Sequence, residues 1–205
     1  MTMGSKGIIR DGAIVIEDSK IVDVGKSNEL KGKYAGYDKI DAKGKVTIPG
    51  LVNTHQHAAM SILRGYADDH PLKEWLEKWI WPLERHMTGY DYYVGALLTA
   101  VESIMSGTTT VNTMYFYKDE YNEARAFAEA GIRGIIGHGC LSWRKDSDRK
   151  DLEDLAKNWH GKNEDVIRVS VDPHAPYTVD PQYLKELRVV TADINEKYGS
   201  PSQPI

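Results

Sequence analysis

The sequence predicts an α/β fold: a partial (β/α)8 barrel of about four βα units, preceded by a small β subdomain. From residue 49 onward, short apolar strands alternate with amphipathic helices, a pattern typical of a parallel sheet with helical crossovers. Residues 1–48 lack this alternation, and Pro49-Gly50 forms a strong turn signal after them. We therefore expect an incomplete β subdomain at 1–48 and the barrel portion at 49–205.

The composition indicates a globular domain. Of the 205 residues, 41% are hydrophobic and 27% charged, and the net charge of -4 arises from interspersed acids and bases. This pattern argues against nucleic acid and anionic membranes as partners and favours a small polar ligand. The single cysteine, Cys140, excludes an internal disulfide, and the N-terminus resembles no signal peptide. We expect a cytoplasmic protein.

The N-terminal part is predicted to contain a β-hairpin. Residues 13–16 and 20–24 are predicted as two short strands joined by the polar turn Glu17-Asp18-Ser19. A further β-like stretch, 39–48, leads into the Pro49-Gly50 turn.

The barrel part supplies four predicted strands and five predicted helices. The strands are 50–54, 108–114, 132–137 and 166–172. The helices are 72–81, 90–106, 119–130, 150–160 and one from Pro181 to about Tyr198. Gly107 and Gly131 stand where a helix-ending glycine is expected. Four units are half of a barrel of roughly 250 residues, and the segment 199–205 has no strand character, so we expect either a truncated chain or an open half-barrel.

The helix at 72–81 carries an apolar stripe of leucine, isoleucine and tryptophan at spacings of three and four. Core packing is the favoured interpretation of this stripe, and a lid over a purine formed by Trp75 or Trp79 is the alternative. The Trp81-Pro82 dipeptide is expected to end the helix and place Glu84 on a loop.

His55 and His57 carry the strongest chemical signal. Residues i and i+2 of a strand point to the same face, and these two lie at a strand's carboxyl end, where parallel α/β folds build their sites. The spacing suits a metal ion. The alternative is a pair of exposed or core histidines, which the spacing alone does not exclude.

A longer motif surrounds this pair and resembles a known family. The segment PGLVNTHQHAAMSILRGYADDHPLKEWLEKWIWPLE is followed by SGTTTVNTMY, GIRGIIG and VDPHAPYTV. Together these segments resemble the amidohydrolase superfamily, specifically the branch of methylthioadenosine and S-adenosylhomocysteine deaminases and their chlorohydrolase-like relatives.

The resemblance implies a site with one divalent metal bound by His55 and His57. Zinc is favoured, with iron as the alternative, and a bound metal would activate water as the nucleophile. Dinuclear superfamily members carry a bridging lysine on the fourth strand; the strand 166–172 has none, so a mononuclear site is expected.

The resemblance also implies substrate-binding residues. His174 corresponds to a substrate-contacting histidine, and Glu84 to the carboxylate that binds the ribose hydroxyls. Arg149 resembles the arginine that holds a homocysteine carboxylate, with Arg144 close by in the same segment. No residue matches the family's proton-shuttle glutamate or its later metal ligands, so no catalytic residue is assigned.

The expected function is hydrolytic deamination of adenosine-type nucleosides by an enzyme of which this chain holds only part of the catalytic site. One alternative is a related hydrolysis of guanine or a chlorotriazine. The other is a non-catalytic fragment that associates through its open barrel edge. Because uncovered strand edges promote association, we expect a homo-oligomer.

Overall fold

The computed structural model describes residues 1–199, so the expectation for the segment after Gly199 falls outside the described residues. The chain divides into two compact units, Met1–Gly50 and Leu51–Ile205. This division falls two residues after the predicted boundary.

The described residues form six strands and eight α-helical segments, with shorter 3-10 and π-helical turns between them. The strands are β1 (Gly12–Glu17), β2 (Lys20–Lys26), β3 (Leu51–Gln56), β4 (Thr108–Tyr115), β5 (Arg133–Cys140) and β6 (Ile167–Pro173). The α-helical segments are α1 (Ser27–Lys33), α2 (Leu72–Glu74), α3 (Trp81–Glu84), α4 (Gly89–Met105), α5 (Glu123–Ala130), α6 (Lys145–Trp159), α7 (Lys162–Asp165) and α8 (Pro181–Tyr198). A π-helical turn, Trp75–Ile80, joins α2 to α3.

The first unit is built on the predicted hairpin. β1 and β2 pair antiparallel, with a bulge between Val15 and Ile16. The prediction of a strand at 39–48 is wrong: this stretch has no strand in the structure, and the sheet of the first unit contains only β1 and β2. Ile40, in the middle of that stretch, is 96% exposed.

The second unit is a parallel four-stranded sheet in the order β3-β4-β5-β6. This is the partial barrel that the alternation of strands and helices predicted. One sheet face packs against α4, α5, α6 and α8 through a buried cluster that includes Val111, Ile136, Val169 and Val171. The opposite face carries polar side chains: Ser170 and Asp172 lie beside the Cα of Gly137 there.

The end of the helix at 72–81 differs from the prediction. Helical backbone continues through Trp81 and Pro82 to Glu84, so Glu84 lies in a helical turn and not on a loop. An α-helix would bring the proline ring against the carbonyl four residues earlier, whereas the preceding turn is π-helical and wider. The stripe is buried in part: Ile80 is fully buried, and three further members are half-buried, namely Trp75, Leu76 and Leu83. The packing interpretation fails at Leu72 and Trp79, which are exposed.

Candidate metal centre

The carboxyl ends of the four parallel strands lie along one edge of the sheet, and the histidines predicted to bind metal lie there. His55 is the fifth residue of β3, and His57 follows the strand directly. Their ring centroids are 5.1 Å apart, with the ring planes at 83°. The structure therefore brings the two imidazoles side by side.

The His57 ring is oriented by the neighbouring strand. Its Nδ1 lies 2.8 Å from the carbonyl oxygen of Met114, which can only accept a hydrogen bond, so Nδ1 carries the proton. Nε2 is then left with a free lone pair. Burial lowers the pKa of His57, and the nearby His55 lowers it further. The ring is thus neutral near pH 7, the form that ligates a metal.

His174 lies in the loop after β6 and is oriented in the same manner. The Thr178 hydroxyl donates to the Ala175 carbonyl, so it must accept its 2.8 Å hydrogen bond from Nδ1–H of His174. Nε2 of His174 remains free. Its pKa is lowered mainly by burial and then by His57 and His55. The three histidines therefore share one electrostatic environment.

Asp172 is a site residue that the sequence reasoning missed. Burial raises the pKa of its carboxyl to about 6, against opposing effects of Ser170, His138 and His55. Its Oδ2 lies 1.7 Å from where a Cβ on Gly137 would stand, so the carboxylate occupies space that only a glycine leaves open. The position of Asp172 two residues before His174, at a strand end, was the available signal.

Glu84 is held in an aromatic pocket. Tyr115 donates a short hydrogen bond to Glu84 Oε1, and the Tyr115 ring meets that of Tyr92 edge-on at 4.7 Å. Burial raises the pKa of Glu84, while the bond from Tyr115 opposes the shift. Among residues 1–199 no other hydrogen bond reaches this carboxylate, so its second oxygen can accept from a ligand.

Arg149, which precedes the predicted helix 150–160, is helical in the structure. It lies within α6, where its guanidinium pairs with Glu153 at 3.1 Å and with Asp193 of α8 at 2.9 Å. Arg144 lies instead over the ring of Phe116, at 4.5 Å from the centroid. Phe116 adjoins Tyr115, the partner of Glu84. Arg144 is therefore linked to the Glu84 pocket through its contact with Phe116, whereas Arg149 pairs with acidic residues of α6 and α8.

A second cluster of ligand-type side chains is already saturated. In the described part of the chain, the only three such groups whose ligand atoms lie within 4.8 Å of one another are His138, Asp148 and Asp151. Nδ1 of His138 accepts from the Tyr117 backbone N–H, so its proton lies on Nε2 and is directed at Asp148 Oδ1, 3.0 Å away. No nitrogen lone pair is left for a metal.

The 3-10 turn Ala58–Leu63, which begins directly after His57, rests on polar side chains of the core. Ala58 N–H donates to Thr113 Oγ1 at 2.9 Å, and Ala59 N–H donates to Glu123 Oε1 at 2.7 Å. The Glu123 side chain is only 4% exposed, and burial raises its pKa to about 7 despite these donors.

The raised pKa of Glu123 predicts that the free energy of unfolding depends on pH. The pKa of the Glu123 carboxyl is higher in the folded state than its unfolded value of 4.5. The contribution of this group to stability is therefore fully present below pH 4.5 and is lost as pH rises through about 7. We expect Glu123→Gln to exceed the wild type in unfolding free energy by about 3 kcal/mol near pH 8, at about 1.4 kcal/mol per pKa unit, with no difference near pH 4. Urea unfolding across this range measures the difference; a gap that does not change with pH contradicts it.

Comparison with known proteins finds a matching family and curated relatives. Residues 46–198 match the amidohydrolase family. A 5'-deoxyadenosine deaminase of Methanothermobacter thermautotrophicus is 45% identical over 194 residues, covering 93% of this chain and 44% of that protein. A 5-methylthioadenosine/S-adenosylhomocysteine deaminase of Desulforamulus reducens is 43% identical over 183 residues, covering 88% and 42%.

The fold has solved counterparts. An adenosine deaminase from Xanthomonas campestris, crystallised with bound zinc, superposes with a TM-score of 0.72 at 26% identity, covering 94% of this chain and 49% of that one. The chain thus spans less than half the length of the curated relatives and of this solved structure. No helix among residues 1–199 is long and apolar enough to cross a bilayer.

Proposed function

The chain belongs to the amidohydrolase family, and we propose that it forms the first part of a metal-dependent deaminase of adenosine-type nucleosides. The observation that carries the proposal is the His55–His57 pair. Two adjacent imidazoles, one of them with its Nδ1–H fixed on a backbone carbonyl, present nitrogen lone pairs at the strand ends, where barrel enzymes act.

Zinc is the metal we propose, with His55 and His57 as two of its ligands. Neutral imidazole is a good zinc ligand, and the solved Xanthomonas adenosine deaminase contains zinc. When bound, the metal supplies the Lewis acidity that activates water at neutral pH. Zinc sites use three or four ligands, so two histidines alone should hold the ion weakly.

The remaining site residues suit a ribosyl substrate. Glu84 offers a carboxylate, already oriented by Tyr115, which can accept hydrogen bonds from both hydroxyls of a diol. The free Nε2 of His174 can accept a hydrogen bond from a polar group of the ligand. A free base such as guanine, or a chlorotriazine, has no diol for Glu84 to bind, so 5'-deoxyadenosine, methylthioadenosine, S-adenosylhomocysteine and adenosine are the favoured substrates.

The substrate assignment is tested by supplying the rest of the barrel. The purified chain is mixed with the separately expressed C-terminal part of the Methanothermobacter relative, and ammonia release is measured from the four nucleosides, alongside guanine and a chlorotriazine. We expect activity on nucleosides only. The chain alone should be about 10²- to 10⁴-fold less active, because it lacks a match to the shuttle glutamate.

The variant Glu84→Gln tests whether the substrate carries a ribosyl group. A carboxylate hydrogen bond to a hydroxyl contributes about 1.5–3 kcal/mol, so kcat/KM for nucleosides should fall about 10- to 100-fold. Glu77→Gln, on the exposed side of the π-helical turn, is the control and should have no effect. Turnover of guanine or a triazine without any nucleoside turnover would reject the assigned substrate class. A mixture that binds no metal and turns over nothing would favour the non-catalytic fragment.

A further inference from the structure

The backbone that leaves His57 is held from the sheet side by two buried polar side chains. Thr113, on β4, accepts from Ala58 N–H, while Glu123, the first residue of α5, accepts from Ala59 N–H. Thr113 Oγ1 lies 3.2 Å from both carboxylate oxygens of Glu123, so its hydroxyl donates to Glu123 while it accepts from Ala58. The two side chains thus form one continuous hydrogen-bonded support under the turn.

Helix α4 holds the same turn from the opposite side. Thr99 Oγ1 donates to the Ala58 carbonyl at 3.1 Å. A Cβ on Gly95 would stand 2.1 Å from the Ala59 carbonyl oxygen, so the helix backbone approaches the turn as closely as only glycine permits. Ala58 and Ala59 are both fully buried. The turn therefore has little room to move while both supports are present.

Burial of the Glu123 carboxylate lowers the stability of the fold. Glu123 is buried, and among residues 1–199 no lysine, arginine or histidine forms an ion pair with it. Burial of an unpaired carboxyl is unfavourable, and an apolar side chain would fill the same volume without that cost. Glu123 accepts hydrogen bonds from Thr113 and from the turn that follows His57.

We propose that Glu123 and Thr113 are positioning residues that orient His57 for metal binding. Met114 O of β4 fixes the imidazole of His57. Thr113 of β4 and Glu123 of α5 fix the backbone of the two residues that follow it. Loss of the support frees the turn, and the ring then leaves the Met114 carbonyl. The proposal rests on the metal-binding role of His57 proposed above.

Zinc affinity and the His57 ring proton test this role together. The purified chain is titrated against a chromophoric zinc chelator, and the Nδ1–H resonance of His57 is followed by NMR without metal. We expect Glu123→Ala to weaken zinc binding about 10- to 100-fold, the usual effect of losing an outer partner of a metal ligand, and to broaden or abolish the ring proton signal. Thr113→Val, which keeps the side-chain shape, should act in the same direction.

Two controls separate positioning from loss of stability. Glu123→Gln keeps an oxygen acceptor for Ala59 and Thr113, so it should retain wild-type affinity and the ring proton signal. Ile194→Ala removes buried volume from α8, away from the turn, and should lower stability without changing either readout. Wild-type behaviour of folded Glu123→Ala and Thr113→Val, or equal losses in Ile194→Ala, would overturn the proposal.

The readouts also separate this inference from the proposed function. If the wild type binds no zinc but the ring proton is lost only in Glu123→Ala and Thr113→Val, the positioning holds while the metal assignment fails. If zinc binds but Glu123→Gln is as weak as Glu123→Ala, the hydrogen-bond argument is wrong.

Discussion

Replacing His57 by alanine is expected to eliminate detectable zinc binding by this chain and, in the reconstituted enzyme, to reduce ammonia release to background. The chain offers two imidazoles, and zinc sites need three or four ligands, so the loss of one leaves a single anchoring nitrogen. Without a bound metal, the pKa of water stays far above neutrality, so little hydroxide is available and the rate of attack should fall by several orders of magnitude. His55→Ala should have the same effect.

The measurements are the zinc affinity of the chain, by titration against a chromophoric chelator, and ammonia release by the reconstituted enzyme at saturating nucleoside. His86→Ala is the matched control, because His86 is exposed and the substitution removes a histidine outside the strand ends. The control should keep both zinc and activity. Stoichiometric zinc in His57→Ala would show that the metal is held elsewhere in the molecule.

The largest loss of stability is expected from Asp148→Ala. This carboxylate is fully buried and accepts hydrogen bonds from His138, from Leu141 N–H and from the Tyr183 hydroxyl, while Arg144 lies 3.5 Å away. Its removal leaves several buried donors unpaired, and breaking such a network costs about 3–5 kcal/mol. Because it ties β5 to α6 and α8, we expect cooperative unfolding of the second unit at lower denaturant.

Urea unfolding measures this loss, and Asp154→Ala is the control. Asp154 pairs with Lys150 on the exposed side of α6, so its loss should cost less than about 1 kcal/mol. His138 and Tyr183 hold the pKa of Asp148 below its usual value even though burial opposes them. The contribution of Asp148 is therefore present above its unfolded pKa and is lost as pH falls through the folded value. Equal midpoints for the two variants would contradict the network's role.

Local sequence patterns predicted the features that depend on neighbours in the chain. The alternation of strands and helices identified the parallel sheet, and the i, i+2 spacing of His55 and His57 identified a pair that the structure places ring against ring. The last helix also begins and ends as predicted, since Asp180 caps it and Pro181 opens it.

The errors arise where distant residues decide the outcome. A strand at 39–48 required a partner strand that the described residues do not provide. The ion pair of Arg149 with Asp193, 44 residues away, likewise has no local signal in the sequence, while the proposed ligand role of Arg149 stays a prediction. Asp172 and Glu123 were missed because only the fold shows that Gly137 makes room for one and that the turn after His57 needs the other. Buried carboxylates of this kind have no local signature in the sequence.

The π-helical turn Trp75–Ile80 has a consequence for how this site can diverge. A π-turn holds one residue more than the α-helical turn it replaces, and each residue advances an α-helix by about 100°. In a regular helix, one inserted residue would therefore rotate Glu84 by about a quarter-turn, away from Tyr115, whereas the wider π-turn accommodates the extra residue and keeps the phase of the helix. A codon gained or lost between positions 75 and 80 can thus be absorbed by a switch between π- and α-helical turns, and the carboxylate at position 84 keeps its direction.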